Sequence, residues 1–135
     1  MTLFVDTSVW SLALRRDAVP DIPEISGLRR ALEDGQPITT TGLVLQELLQ
    51  GFSGPKAADS IIERFRHIPF VTPDRQDHIE AASLRNHCRR AGVQVGTIDA
   101  LIAQLCIRHE LTLLTSDGDF GNMQSVVGNL LIWYQ

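Results

Sequence analysis

Short runs of β-branched and aliphatic residues alternate with segments whose apolar residues recur at helical spacing, along nearly the whole chain. Leu3-Phe4-Val5, Pro37-Ile38-Thr39-Thr40, Ile68-Pro69-Phe70-Val71, Leu111-Thr112-Leu113-Leu114 and Leu130-Leu131-Ile132-Trp133 have the length and residue types of strands. The proline at 69 suits an edge better than a sheet centre. Helices are expected between them. The first carries Val9, Trp10, Leu12 and Ala13 behind a cap at Thr7 or Ser8. The second opens with Asp21 as N-cap, Pro23 in the first turn and Glu24 completing a capping box. It buries Ile25, Leu28, Ala31 and Leu32 and ends at Asp34-Gly35. Thr41 caps a helix from Gly42 to Gln50, and another after Ser53-Gly54-Pro55 carries Ala57, Ala58, Ile61, Ile62 and Phe65. Asp74 to Arg90 reads as a fifth, and Thr97 caps a sixth with Ile98, Leu101, Ile102 and Leu105 at i, i+3, i+4, i+7. Strands alternating with helices predict an α/β fold with a mainly parallel sheet of four to five strands. In such sheets, sites form at the carboxyl ends of strands where the strand order reverses.

The length of 135 residues and 44% hydrophobic content fit one domain covering residues 1–135. No run approaches the roughly 20 apolar residues needed to span a bilayer. The opening Met1-Thr2-Leu3-Phe4-Val5-Asp6 has no basic region and reads as a first strand, not a signal peptide. Cys88 and Cys106 have neither metal-ligand spacing nor a disulfide pattern, which predicts a reduced, cytoplasmic protein. The net charge of −4 counts against a module that holds nucleic acid by charge alone. It is compatible with a nuclease whose acids are gathered and neutralised by metal. Of 12 basic residues 11 are arginine, including the pairs Arg15-Arg16, Arg29-Arg30 and Arg89-Arg90. Arginine suits phosphate contacts, but solvated helix faces are the better explanation for any one pair.

Three acids follow strands or open helices. Asp6 follows Leu3-Phe4-Val5, Asp117 follows Leu113-Leu114 after two residues, and Asp99 lies in the first turn of the helix from Thr97. That helix must start on the carboxyl edge, so all three should face one rim. Glu47 stands apart, inside the apolar helix segment Leu43-Val44-Leu45-Gln46-Glu47-Leu48-Leu49. Singly, each acid has an ordinary role as a helix cap, dipole partner, solvent-facing residue or turn former. Together they repel one another unless a cation intervenes. An all-carboxylate set selects magnesium or manganese over zinc. Such a site binds phosphate and lowers the pKa of water, which is the chemistry of phosphodiester hydrolysis.

Four segments carry a resemblance: Leu3-Phe4-Val5-Asp6-Thr7-Ser8-Val9-Trp10, Leu45-Gln46-Glu47-Leu48-Leu49-Gln50-Gly51, Thr97-Ile98-Asp99-Ala100-Leu101-Ile102-Ala103, and Leu113-Leu114-Thr115-Ser116-Asp117-Gly118-Asp119-Phe120. In this order and at these intervals, the chain resembles a PIN domain of the VapC toxin type over essentially its whole length. The resemblance implies a parallel sheet with helices on both faces. It implies that Asp6, Glu47, Asp99 and Asp117 bind one or two Mg²⁺ or Mn²⁺ ions and are catalytic. Ser8 and Thr115 match small polar positions that support the acids. Asp119 either reaches metal through water or caps the short segment after it. The implied activity is endoribonuclease cleavage, often of transfer or ribosomal RNA. A small antitoxin silences the toxin branch by occupying the active groove, and a homodimer is common.

The histidines His67, His78, His87 and His109 are scattered, and none shares a strand end with the acids. Trp10 suits the core or a dimer interface better than stacking on a base. The helices from Gly42 to Arg66 offer either an apolar groove for a partner or ordinary internal packing. A receiver-like phosphoacceptor would need a lysine after a late strand, but the only lysine, Lys56, lies next to Gly54-Pro55. A haloacid-dehalogenase-type phosphatase would want aspartate at position 8, where Ser8 stands. Within the fold, a DNA-cleaving or RNA-processing nuclease and a non-catalytic binding module are the alternatives.

Overall fold

The apolar run after Met1-Thr2 forms β1 (Leu3–Val5), with all three residues buried. The computed structural model, which describes residues 1–134, continues with α1 (Thr7–Ala13), α2 (Pro23–Glu33), β2 (Ile38–Thr39) and α3 (Gly42–Gly51). Then come α4 (Pro55–Phe65), α5 (Arg75–Arg90), α6 (Thr97–Arg108), β3 (Thr112–Leu114), α7 (Gly118–Gln124) and β4 (Leu131–Ile132). The strands form one parallel sheet in the order β2-β1-β3-β4. The chain steps from β1 out to β2 and later returns past β1 to β3, so strand order reverses between β1 and β3. Right-handed connections in opposite directions place helices on both faces. The reversal puts the natural site at the carboxyl ends of β1 and β3.

Several local expectations need correction. The segment at 68–71 makes a single parallel bridge, Thr40 to Phe70, and Pro69 limits it to the outer side of β2. Asp21 and Glu24 form no capping box: Ile22 is the N-cap of α2, Pro23 its first residue, and the cap lacks a side-chain bond. The capping box instead opens α5, where Asp74 and Asp77 exchange bonds with each other's backbone N–H. Asp6 is the N-cap of α1, so Thr7 begins the helix, and Gly96 takes the cap position expected of Thr97. Leu32 and Ile62, placed on apolar faces by spacing, are 54% and 40% exposed, each lying at the margin of its buried stripe.

Phe4, Val5, Leu113 and Leu114 from the sheet and Val9, Leu48 and Ile102 from the helices belong to one buried apolar core. Trp10 is buried and stacks obliquely on Phe65, 5.2 Å between ring centres, which assigns it to the core. Gly27 on α2 lies against the Trp133 ring so closely that an added Cβ would stand 2.5 Å from it. Buried Asp77 receives two bonds from Arg108, of 2.7 and 2.6 Å, tying the start of α5 to the end of α6. Both cysteines are buried and unbridged. Among the described residues no helix is long and apolar enough to cross a membrane.

Candidate active site

β1 delivers Asp6 to the carboxyl edge of the sheet, where it is 5% exposed. Its carboxylate forms no geometrically complete cap bond to α1, although the Val9 N–H is near enough to favour its charged form. Two hydroxyls take its oxygens instead: Ser8 Oγ donates to Oδ1 at 2.5 Å and Thr115 Oγ1 to Oδ2 at 2.8 Å. A 2.5 Å O–H···O contact is in the range of a bond to an ionised acceptor. Each hydroxyl owns one proton and gives it to Asp6, so each oxygen is free to accept. The backbone N–H groups of Ser116 and Asp117 fill those positions, donating to Ser8 Oγ and Thr115 Oγ1, both at 3.0 Å. This frame joins the ends of β1 and β3 and positions Asp6 rigidly. Burial raises the Asp6 carboxyl above its ordinary range, the two hydroxyls counter that, and Asp117 adds a further upward push.

Asp117 ends the segment after β3 and caps α7, accepting from the Asp119 N–H at 2.9 Å. Asp99 enters from the first turn of α6. One carboxylate oxygen from each of Asp99, Asp117 and Asp119 lies within 4.8 Å of the others. Asp119 thus belongs to the tight group, although its sequence left a metal role and a capping role open. Glu47 reaches the site from α3 and accepts a bond from Thr7 Oγ1 at 2.9 Å. Thr7 had been read only as a possible helix cap. Its adjacency to Asp6 was the available signal, but the 40-residue separation from Glu47 hid the pairing.

Asp99 registers the assembled charge. Its pKa is raised from 3.8 to about 6, first by burial and then by Asp117, Asp6, Glu47 and Asp119. Four carboxylates therefore act on Asp99, and none of the five acids has a cationic side chain within ion-pair distance among the described residues. The donor set is all hard oxygen, fitting a divalent cation of the magnesium or manganese type. His67, His78, His87 and His109 contribute nothing to this cluster.

A family model described as the PIN domain matches residues 3–125. The chain belongs to the PIN domain family. The match spans β1 to the end of α7, so it takes in Asp6, Glu47, Asp99, Asp117 and Asp119. Among curated proteins, this PIN domain is 29% identical to Ribonuclease VapC11 of Mycobacterium tuberculosis over 120 residues, 87% of this chain and 88% of that protein. Its fold is similar to VapBC2 from Rickettsia felis, solved bound to a promoter DNA fragment, with TM-score 0.75 and 21% identity over 98% of each chain. FitAcB from Neisseria gonorrhoeae superposes with TM-score 0.73 at 20% identity, covering 99% of this chain and 97% of that one.

Proposed function

We propose that this PIN domain is a divalent-metal-dependent endoribonuclease and the toxin of a type II toxin–antitoxin pair. The observation that carries the reading is the convergence of four acids on Asp99, which loads the rim with negative charge and supplies no cation of its own. Asp6, Asp99 and Asp117 would hold Mg²⁺ or Mn²⁺, with Glu47 and Asp119 completing the surroundings. The bound ion supplies Lewis acidity toward a phosphodiester and makes water a better nucleophile near neutral pH. Ser8 and Thr115 orient Asp6, and Thr7 orients Glu47, so the ligands need little rearrangement when the ion arrives. The 29% identity to a VapC ribonuclease supports RNA as the substrate.

The test is cleavage of structured RNA with Mg²⁺, with EDTA, and by variants. Asp6→Asn or Asp99→Asn preserves shape while deleting a ligand charge, and should cut cleavage about a hundredfold or more, as when one electrostatic catalytic group is lost. Undiminished cutting in EDTA, or an Asp99→Asn protein as active as wild type, would overturn the mechanism. For the partner, an unneutralised acidic rim favours an antitoxin that inserts arginine or lysine. The exposed Ile62 on α4 and an apolar cavity of about 560 Å³ beside Trp10, Ile38 and Ile68 offer seating for its apolar side chains. Co-expression with the neighbouring gene product, followed by sizing, should recover a complex built on a homodimer. A free monomer that leaves growth unaffected would count against the toxin reading.

A further inference from the structure

A cavity of about 520 Å³ opens beside the acid cluster, lined by Arg85, Arg89, Gln94, Val95, Gly96 and Asp119. Its acidic wall is Asp119 of the cluster and its basic wall is the last two turns of α5. Arg85 and Arg89 are four residues apart and so share a helix face. Neither forms an ion pair among the described residues, although Asp119 lines the same space. Arg85 is held in place: its Nε donates to the Val95 carbonyl at 2.8 Å, which leaves both terminal nitrogens free to donate elsewhere. Arginines near a helix C-terminus complement the dipole, and that suffices for Arg90. It does not account for Arg85, which is tied to the segment leading into Asp99 and aligned with Arg89 on the cavity wall.

Charge gives this wall a task. One divalent ion offsets at most two charges of the five-carboxylate cluster formed by Asp99 and its four acidic neighbours, so a strand reaching the site still meets a negative surface. A phosphate next along that strand needs a cation outside the metal site. We infer that Arg85 and Arg89 form a phosphate subsite that grips the RNA backbone beside the cleavage position. The inference rests on the ribonuclease reading. Guanidinium groups suit it because their donors match phosphate oxygens in pairs, and Gln94 adds an amide at the same wall.

The experiment pairs steady-state cleavage with binding of a fluorescein-labelled single-stranded RNA, read by anisotropy across a KCl series in Mg²⁺. Arg89 is exposed, so Arg89→Gln keeps the fold; Arg85→Lys retains charge and loses the paired geometry. Arg89→Gln should raise KM about tenfold with kcat within about twofold, and flatten the slope of log Kd against log salt by about 0.7, one phosphate contact on a single strand. Arg85→Lys should raise KM with little change in slope. Arg29→Gln with Arg30→Gln removes two charges from the exposed face of α2 and should leave KM and slope as in wild type. If Arg89→Gln matches wild type, or if the α2 variant shows the same losses, the subsite is wrong while the ribonuclease reading stands. A wild-type protein that cuts no RNA removes both.

Discussion

Asp99→Asn should make the metal-free protein more stable, by an amount that depends on pH in a defined way. The folded carboxyl titrates at about 6 against an ordinary 3.8. Below about pH 3 it is protonated in both folded and unfolded chains and contributes nothing to the difference. Between 4 and 6 the unfolded chain releases its proton while the folded one keeps it, so stability is lost as pH rises; above about 7 the loss is complete. The separation corresponds to about 3 kcal/mol. Asp99 is half-buried, and solvent and salt screen its neighbours, so about 1–2 kcal/mol is the working figure. For a 135-residue domain that is about 3–7 °C in Tm. Thermal unfolding in EDTA from pH 3 to 8 should show the two proteins coinciding at the acid end and separating through pH 4–6, with the variant higher at pH 8. Adding Mg²⁺ should raise the wild type and narrow the gap, because the ion binds only the folded state. A pH-independent gap, or a less stable variant at pH 8, would refute the claim that mutual repulsion loads this rim.

Three further outcomes follow from packing and backbone. Gly27→Ala should destabilise by about 1–3 kcal/mol despite the better helix propensity of alanine, because the new methyl overlaps the Trp133 ring; denaturant unfolding and near-UV circular dichroism of the tryptophan report it. Asp77→Asn should cost about 2–3 kcal/mol at pH 7, below the full value for a broken buried pair because Arg108 remains partly in water. Burial pushes the Asp77 carboxyl up, and Arg108 and the Asp74 N–H outweigh it, leaving it below its ordinary value. Its contribution is therefore present above pH 4 and lost as pH falls through the folded pKa, so the penalty of the substitution should shrink in acid. Glu110→Gly should raise Tm by about 2–4 °C, since Glu110, just beyond the His109 C-cap of α6, sits at φ 53, a left-handed conformation that favours glycine.

The parallel α/β plan was legible because its signal is repeated: apolar strand runs and helical spacing alternate, and β1 and β3 carry them undiluted. Asp6 and Asp117 were legible as rim residues for the same reason, since each follows a strand within a few positions. Local caps were not. Asp21-Ile22-Pro23-Glu24 has the composition of a capping box, yet the box formed at Asp74 and Asp77, where Arg108, 31 residues further along, also holds the second acid. Short-range sequence could not show that partner. The frame around Asp6 was hidden similarly: Ser8 and Thr115 are 107 residues apart and meet only because β1 and β3 are neighbours.

Asp6 and Asp99 illustrate two ways to keep an acid in a crowded site. Asp6 is the more buried, yet two hydroxyls, each fed by a backbone N–H, answer the charge on both its oxygens. That network is fixed by the parallel pairing of β1 and β3 and does not depend on a ligand. Asp99 has no recorded donor among the described residues and faces four like charges, so its ionised form is the unfavourable one. A cation entering here relieves the repulsion on Asp99 without disturbing the bonds of Asp6. On the proposed metal-binding reading, the fold fixes Asp6 in advance and leaves Asp99 dependent on the ion. Removing the Thr115 hydroxyl should therefore loosen the site even in metal-free protein, whereas neutralising Asp99 should stabilise that form and abolish what the ion gains by binding.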